Sequence, residues 1–203
     1  LDKVDLKKTL SSFKAKKGQF DIINVPSFRY LAIDGENGPA STDYAAALET
    51  LYPVAYKLKF LSKANERDYV VPPLESLWWA DDMSVFTTNF DKSQWLWTAM
   101  IMTPEWITND MVDEAKEIAG KKLSPEALAK LNHITLEEGQ CVQILHLGSY
   151  DNEGPTLKTL HEEFIPDNNL KMTGKHHEIY FNDFRKIAPE KLRTILRQPV
   201  VNT

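Results

Sequence analysis

In "HHEIYFND", residues 176 to 183, a carboxylate stands among rings. Side chains alternate across a β-strand, so Glu178 shares one face with His176, Tyr180 and Asn182, while His177, Ile179 and Phe181 share the other. The second face is the more apolar and is expected to pack on helices, leaving the first to face a groove. A carboxyl desolvated among aromatic rings has its pKa pushed up, which suits a base near neutral pH or an anchor for a cation. A surface ion pair is the alternative reading for a single strand glutamate.

Aromatic rings are concentrated earlier in the chain. Four of the five tryptophans, Trp78, Trp79, Trp95 and Trp97, fall within "LESLWWADDMSVFTTNFDKSQWLWTAM". On a strand Trp95 and Trp97 project together, whereas Trp78 and Trp79 point to opposite faces. Tyr30, Tyr56, Tyr69, Tyr150 and Tyr180 add rings with polar tips. Such a set builds either a large core or a cage that clamps a flat or cationic ligand by stacking and cation–π contact.

Other chemistry finds little support. His176 and His177 diverge on a strand, "HEEFI" at 161 has no second histidine four residues on, and Cys141 has no cysteine partner, so no metal site is expected. Cys141 lies on the strand face opposite His146 and Tyr150, which disfavours a Cys-His nucleophile. Neither a phosphate-cradling glycine loop nor a GxSxG elbow is present, and no cofactor is expected.

The 203 residues are 42% hydrophobic and 26% charged, enough for one compact domain. A net charge of -5 argues against direct nucleic-acid binding, which needs a basic surface. The basic stretch "KKTLSSFKAKK" is expected to be a solvated, partly frayed part of an N-terminal extension, residues 1–18. The single cysteine fits a reducing compartment, and neither a membrane span nor a secretion signal is evident, so the expected location is cytoplasmic. The sequence opens on Leu1, so an initiator methionine is expected to be missing.

Patterning predicts the elements that position these residues. Strands are expected at 20–25 and 29–35, then a helix from Thr42 or Asp43 with a kink at Pro53. "PPLESLWWA" and "SQWLWTAMIM" read as a strand pair. Met111 to Ala119 form an amphipathic stripe ended by Gly120, and Ser124-Pro125 opens a second short helix. A strand at 140–150, a helix from Pro155 and strands at "HHEIYFNDF" and "TILRQPV" complete the chain. The order strand, helix, strand, strand occurs twice. The expected fold is therefore α+β: two βαββ repeats, about 19–102 and 132–200, joined by a helical connector within a single domain, 19–203. A pseudo-twofold axis would relate the repeats, with a ligand groove between two antiparallel sheets.

"ILHLGSYDNEGPTL" (144–157) followed by "HHEIYFNDFRKIAPEKLRTILRQPV" (176–200) resembles the C-terminal signature of the gyrase-inhibitor-like (GyrI-like) small-molecule-binding proteins, whose repeats are of the SHS2 type. That signature has a His-x-Gly-x-Tyr strand, a helix, a Glu-Ile-Tyr strand, a Pro-rich stretch and a last strand with Leu-Arg-Thr. Ser149 stands where the family often has proline. The resemblance implies that Glu178 meets cationic or polar ligands in the groove. "PLESLWWADD", "QWLWTAMIM" and "TPEWIT" are similar to a stand-alone branch without a helix-turn-helix unit, whose members hydrolyse the cyclopropane of DNA-alkylating natural products of the yatakemycin/duocarmycin type inside an aromatic cage. On that reading Glu178 polarises or deprotonates the attacking water and Tyr180 donates to the substrate carbonyl. Trp79, Trp97, Tyr69 and Tyr150 form the cage, with His146 and His176 beside the ligand. The expected partners are planar or cationic small molecules, the expected state a monomer or weak dimer; sequestration without reaction is the alternative.

Overall fold

The alternation of polar and apolar residues at period two sets the strands, which a computed structural model describes together with the rest of residues 2–203; Leu1, where the expected extension begins, lies outside them. The strands are β1 (Asp21–Val25), β2 (Phe28–Gly35), β3 (Leu74–Trp79), β4 (Leu96–Thr103), β5 (Asn132–Leu136), β6 (Gly139–Leu147), β7 (Leu170–Met172), β8 (His176–Tyr180) and β9 (Arg193–Asn202). The helices are α1 (Leu6–Thr9), α2 (Thr42–Ala64), α3 (Asn109–Gly120), α4 (Pro125–Ala129), α5 (Gly154–Thr159) and α6 (Ile165–Asp167), with a π-helical turn at Leu160–Phe164 between the last two. The fold is α+β with antiparallel strand pairing. No helix among the described residues is long and apolar enough to cross a membrane.

The chain forms two compact units, one of residues 2–9 with Phe28–Leu136, the other of Leu10–Ser27 with Glu137–Thr203. In the first, the sheet order is β3-β4-β2-β5. Helix α2 is capped by Ser41, whose hydroxyl accepts from the Tyr44 backbone N–H, one residue before the expected start. It runs on through Pro53. Its buried stripe includes Tyr44, Ala47, Leu51, Val54, Ala55, Leu58 and Ser62. Strand β5, absent from the expected elements, pairs with β2, and α4 starts at Pro125 behind its Ser124 cap.

Gly35 and Trp97 face each other across β2 and β4. A β-carbon on Gly35 would stand 2.1 Å from a Trp97 ring carbon, so the indole lies where a side chain would otherwise be. The indole N–H donates to the Glu36 carbonyl at 3.0 Å. Gly35→Ala is expected to push Trp97 aside and cost about 1–3 kcal/mol, the usual penalty of overpacking. Urea denaturation followed by tryptophan emission tests this; wild-type stability in the variant would show that the ring is not held there.

In the second unit the order is β8-β9-β6-β1, and β7 pairs with the end of β9. β1, which the expected bounds place in the first repeat, pairs with β6 instead; Pro26 directly after it lacks the N–H that a continued ladder needs. One face of this sheet carries Val142 and Val200, which pack against Leu160, Ile165 and Leu170 from the helical segment and β7. The other face carries Arg197, only 1% exposed. Its guanidinium donates to Glu138 Oε2 at 3.0 Å, Gln143 Oε1 at 3.1 Å and the Ser12 carbonyl at 2.7 Å, while Gln143 donates to the Lys14 carbonyl. Leu145 N–H also donates to the Lys16 carbonyl. Residues 10–17, expected to fray, are thus tied down by backbone acceptors, and their charges do not determine their order.

His177 Nδ1 lies 2.8 Å from the other oxygen of Glu138. Burial alone would raise this carboxyl's pKa, but the charges of His177 and Arg197 and their hydrogen bonds hold it at about 2, below the ordinary 4.5. The stability it supplies is therefore complete above pH 4.5 and is lost as pH falls toward 2. Glu138→Gln, which strands a buried guanidinium, is expected to cost about 3–5 kcal/mol at neutral pH. Denaturation at a series of pH values should also show a shallower acid decline in the variant. An unchanged slope below pH 4.5 would remove Glu138 as its source.

Candidate functional site

Strand β8 presents His176, Glu178 and Tyr180 on one face, as alternation requires. The register of β8 with β9 and of β9 with β6 places that face on the same side as Val142, the side that the helical segment covers. This corrects the expected assignment of faces. The Ile179 face is closed instead by the N-terminal strap; Phe13, 5% exposed, reaches Phe181 there at 6.4 Å. Periodicity tells which residues share a face and is silent on which face meets a helix.

Glu178 is 9% exposed and its two oxygens are both engaged. His176 Nε2 stands 3.0 Å from Oε1, and the Tyr180 hydroxyl donates to Oε2 at 2.6 Å. Burial pushes this carboxyl's pKa up, but hydrogen bonding and charge from His176, then the bonds to Tyr180 and Glu153, outweigh it and hold the group below its ordinary value. The expected upward shift is thereby reversed: the aromatic surroundings supply donors as well as dry surface. Tyr180, expected to donate to a substrate carbonyl, directs its proton to Glu178.

The turn after β6 brings further groups to this carboxylate. Gly148 takes a φ of +129°, open mainly to glycine, and its N–H donates to the Leu192 carbonyl. His146 Nε2 donates to the Ser149 carbonyl at 2.9 Å, so this imidazole braces the turn. Tyr150 then meets Tyr180 edge to face, 5.6 Å between centroids. Glu153, 6% exposed, ends the turn and hydrogen-bonds Glu178. Nothing in the spacing of "SYDNEGPTL" marks this residue, because its proximity arises from the fold of the turn. His161 lies in the π-helical turn; burial, then the charge of His176, lower its pKa to about 4. The absence of a second histidine one helical turn away had hidden it.

The remaining predicted residues lie in the first unit. Trp97 is 1% exposed and packs edge-on against Tyr44 at 5.0 Å, with Trp78 tilted against the same ring at 5.4 Å. Trp95 precedes β4 and stacks on Phe86 at 4.4 Å, so it does not share a strand face with Trp97. Tyr69, 2% exposed, meets Trp106 edge-on at 6.2 Å, and burial pushes its phenol pKa up. Trp79 is half-buried, on the face of β3 opposite Trp78. Trp78 and Trp97 thus belong to the core, and the structure brings together Glu178, Tyr180, His176 and Tyr150. Burial, then the charge of Glu138, raises the Cys141 thiol pKa to about 12, which leaves it a poor nucleophile. Among the described residues, no three His, Cys, Asp or Glu side chains are placed to hold a metal ion.

Known proteins share this fold. A protein of Listeria innocua described as an uncharacterized conserved protein is 37% identical over 98% of this chain and 100% of its own, with a TM-score of 0.87. A second Listeria innocua protein, described as a hydrolase, is 37% identical over the same shares, with a TM-score of 0.83. The C-terminal domain of EcmrR, 12% identical over 91% of this chain and 98% of its own, shares the fold at a TM-score of 0.59. No curated protein matches. Residues 18–201 match the GyrI-like small molecule binding domain throughout, and the chain belongs to that family.

Proposed function

We propose that this protein binds planar, DNA-alkylating small molecules of the yatakemycin/duocarmycin type and hydrolyses their cyclopropane ring, protecting the cell that holds it in its cytoplasm. The observation that carries the reading is the buried Glu178, kept anionic by His176 and by Tyr180, whose ring meets Tyr150 edge to face. A fixed negative charge in a dry aromatic setting polarises a water molecule, directly or through the imidazole beside it. The hydrolase description of a Listeria relative at 37% identity supports hydrolysis as the reaction class.

The chemistry asks little of the protein. Water oxygen adds to the cyclopropane methylene, the strained carbon–carbon bond breaks, and its electron pair enters the conjugated dienone, which becomes a phenol after protonation. Strain and the gain of aromaticity drive the step, so orientation of the water and exclusion of other nucleophiles supply much of the rate. Tyr150 and Tyr180, both in the second unit, are the rings assigned to the ligand. His146 serves by bracing the turn that carries Tyr150.

Catalytic amounts of protein incubated with a duocarmycin-class cyclopropane should convert it many-fold to a species heavier by one water, read by mass spectrometry. Intact drug recovered in stoichiometric complex would make the protein a sequestering one. Glu178→Gln is expected to lower turnover by about 100-fold or more, as removal of acid–base assistance does, while binding read by tryptophan quenching persists. Full turnover in the variant would remove Glu178 from the mechanism.

A further inference from the structure

Resting on that proposed hydrolysis, we propose that the proton acceptor of the site is His176 through Nδ1, and that Glu178 is a positioning residue that holds this imidazole in the required tautomer. An anionic carboxylate can only accept, so the 3.0 Å contact to Glu178 Oε1 requires a proton on His176 Nε2. The neutral ring then carries its lone pair on Nδ1. That nitrogen is buried and has no hydrogen-bond partner among the described residues. A carboxylate orienting an imidazole whose opposite nitrogen is bare is the arrangement that general-base catalysis uses.

A second bare position lies nearby. His161 Nε2 is also buried without a hydrogen-bond partner among the described residues, and this ring is close enough for the charge on His176 to depress its pKa. Local π-helical geometry often marks functional sites, and here it sets His161 one residue into such a turn. A buried nitrogen with unmet hydrogen-bonding capacity is the kind of partner that an ordered water takes. In the reaction that water would give its proton to His176 Nδ1 as its oxygen bonds the cyclopropane carbon. The imidazolium then returns the proton to the phenolate oxygen or to solvent, and the net change is the addition of one water.

The ionisable groups around His176 agree with this assignment. Glu178 and Tyr180 lie along its own strand face, while Glu153 and His161 come from the turn and helical segment above; Lys175, next in the chain, is exposed. Glu178 stabilises the imidazolium as it forms. Glu153 adds its hydrogen bond to Glu178, and His161 stays neutral down to about pH 4.

The test is the pH dependence of kcat/KM, joined to a nitrogen-15 histidine spectrum of the intact wild-type protein, with His176 assigned from its absence in His176→Gln. The expected profile has a rising limb that belongs to an imidazole and not to a carboxylate. The expected spectrum has His176 protonated at Nε2 and bare at Nδ1. His176→Gln should lose about 100-fold or more in kcat. Glu178→Gln should shift the rising limb to lower pH, which a merely structural glutamate would not do. A limb confined to the carboxylate range, or a proton on Nδ1 of the neutral ring, overturns the proposal. If the wild type turns nothing over, the hydrolase reading falls separately. The tautomer then decides the dyad alone: a bare Nδ1 upholds the imidazole oriented by Glu178, a protonated one removes it.

Discussion

Taking a carboxylate out of water costs several kcal/mol unless donors replace the lost hydration, and this constraint organises the second unit. Glu178 meets it with donors on its own strand, two residues to either side, and with Glu153 from the turn that precedes α5. The short spacing within β8 makes the first two contacts local. The third depends on the turn at Gly148, on the His146 bond that braces it and on the packing of Leu160 and Ile165 that seats the following helix.

The same sheet buries a second glutamate differently. Glu138 is neutralised by Arg197, a guanidinium that never surrenders its proton, with His177 on its other oxygen. Such a pair fixes structure, and here it joins the strap of residues 10–17 to the sheet. Glu178 faces no arginine or lysine in its hydrogen bonds; its partners are an imidazole, a phenol and another carboxyl, all of which exchange protons within reach of ordinary chemistry. Burial is common to both sites. The identity of the donors separates a fixed clamp from a carboxylate whose partners can exchange protons.

The tryptophan-rich segment shows how area and function divide. Trp97 fills the space over Gly35, and Trp78 and Trp97 share Tyr44, so these large rings give the first unit a core under α2. Phe86, Phe90 and Lys92 gather around Trp95 in the segment between β3 and β4. In the second unit Tyr150 and Tyr180 are rings that burial leaves partly open.

The sequence by itself determined the α+β class, most of the strands, the family, and the grouping of His176, Glu178 and Tyr180, because these follow from alternation along a short segment and from a motif in order. The caps at Ser124 and the stop near Gly120 were legible for the same local reason. Long-range pairing was not: β1 joins β6 and β5 joins β2, and no local period says which ladder a strand enters. Nor does any period tell which face of β8 meets a helix, that Glu153 and His161 come near it, or that the donors around Glu178 outweigh its burial. The faces and the approach of Glu153 and His161 depend on segments distant in the chain, and the balance at Glu178 on tertiary packing that removes water from donors its own strand supplies.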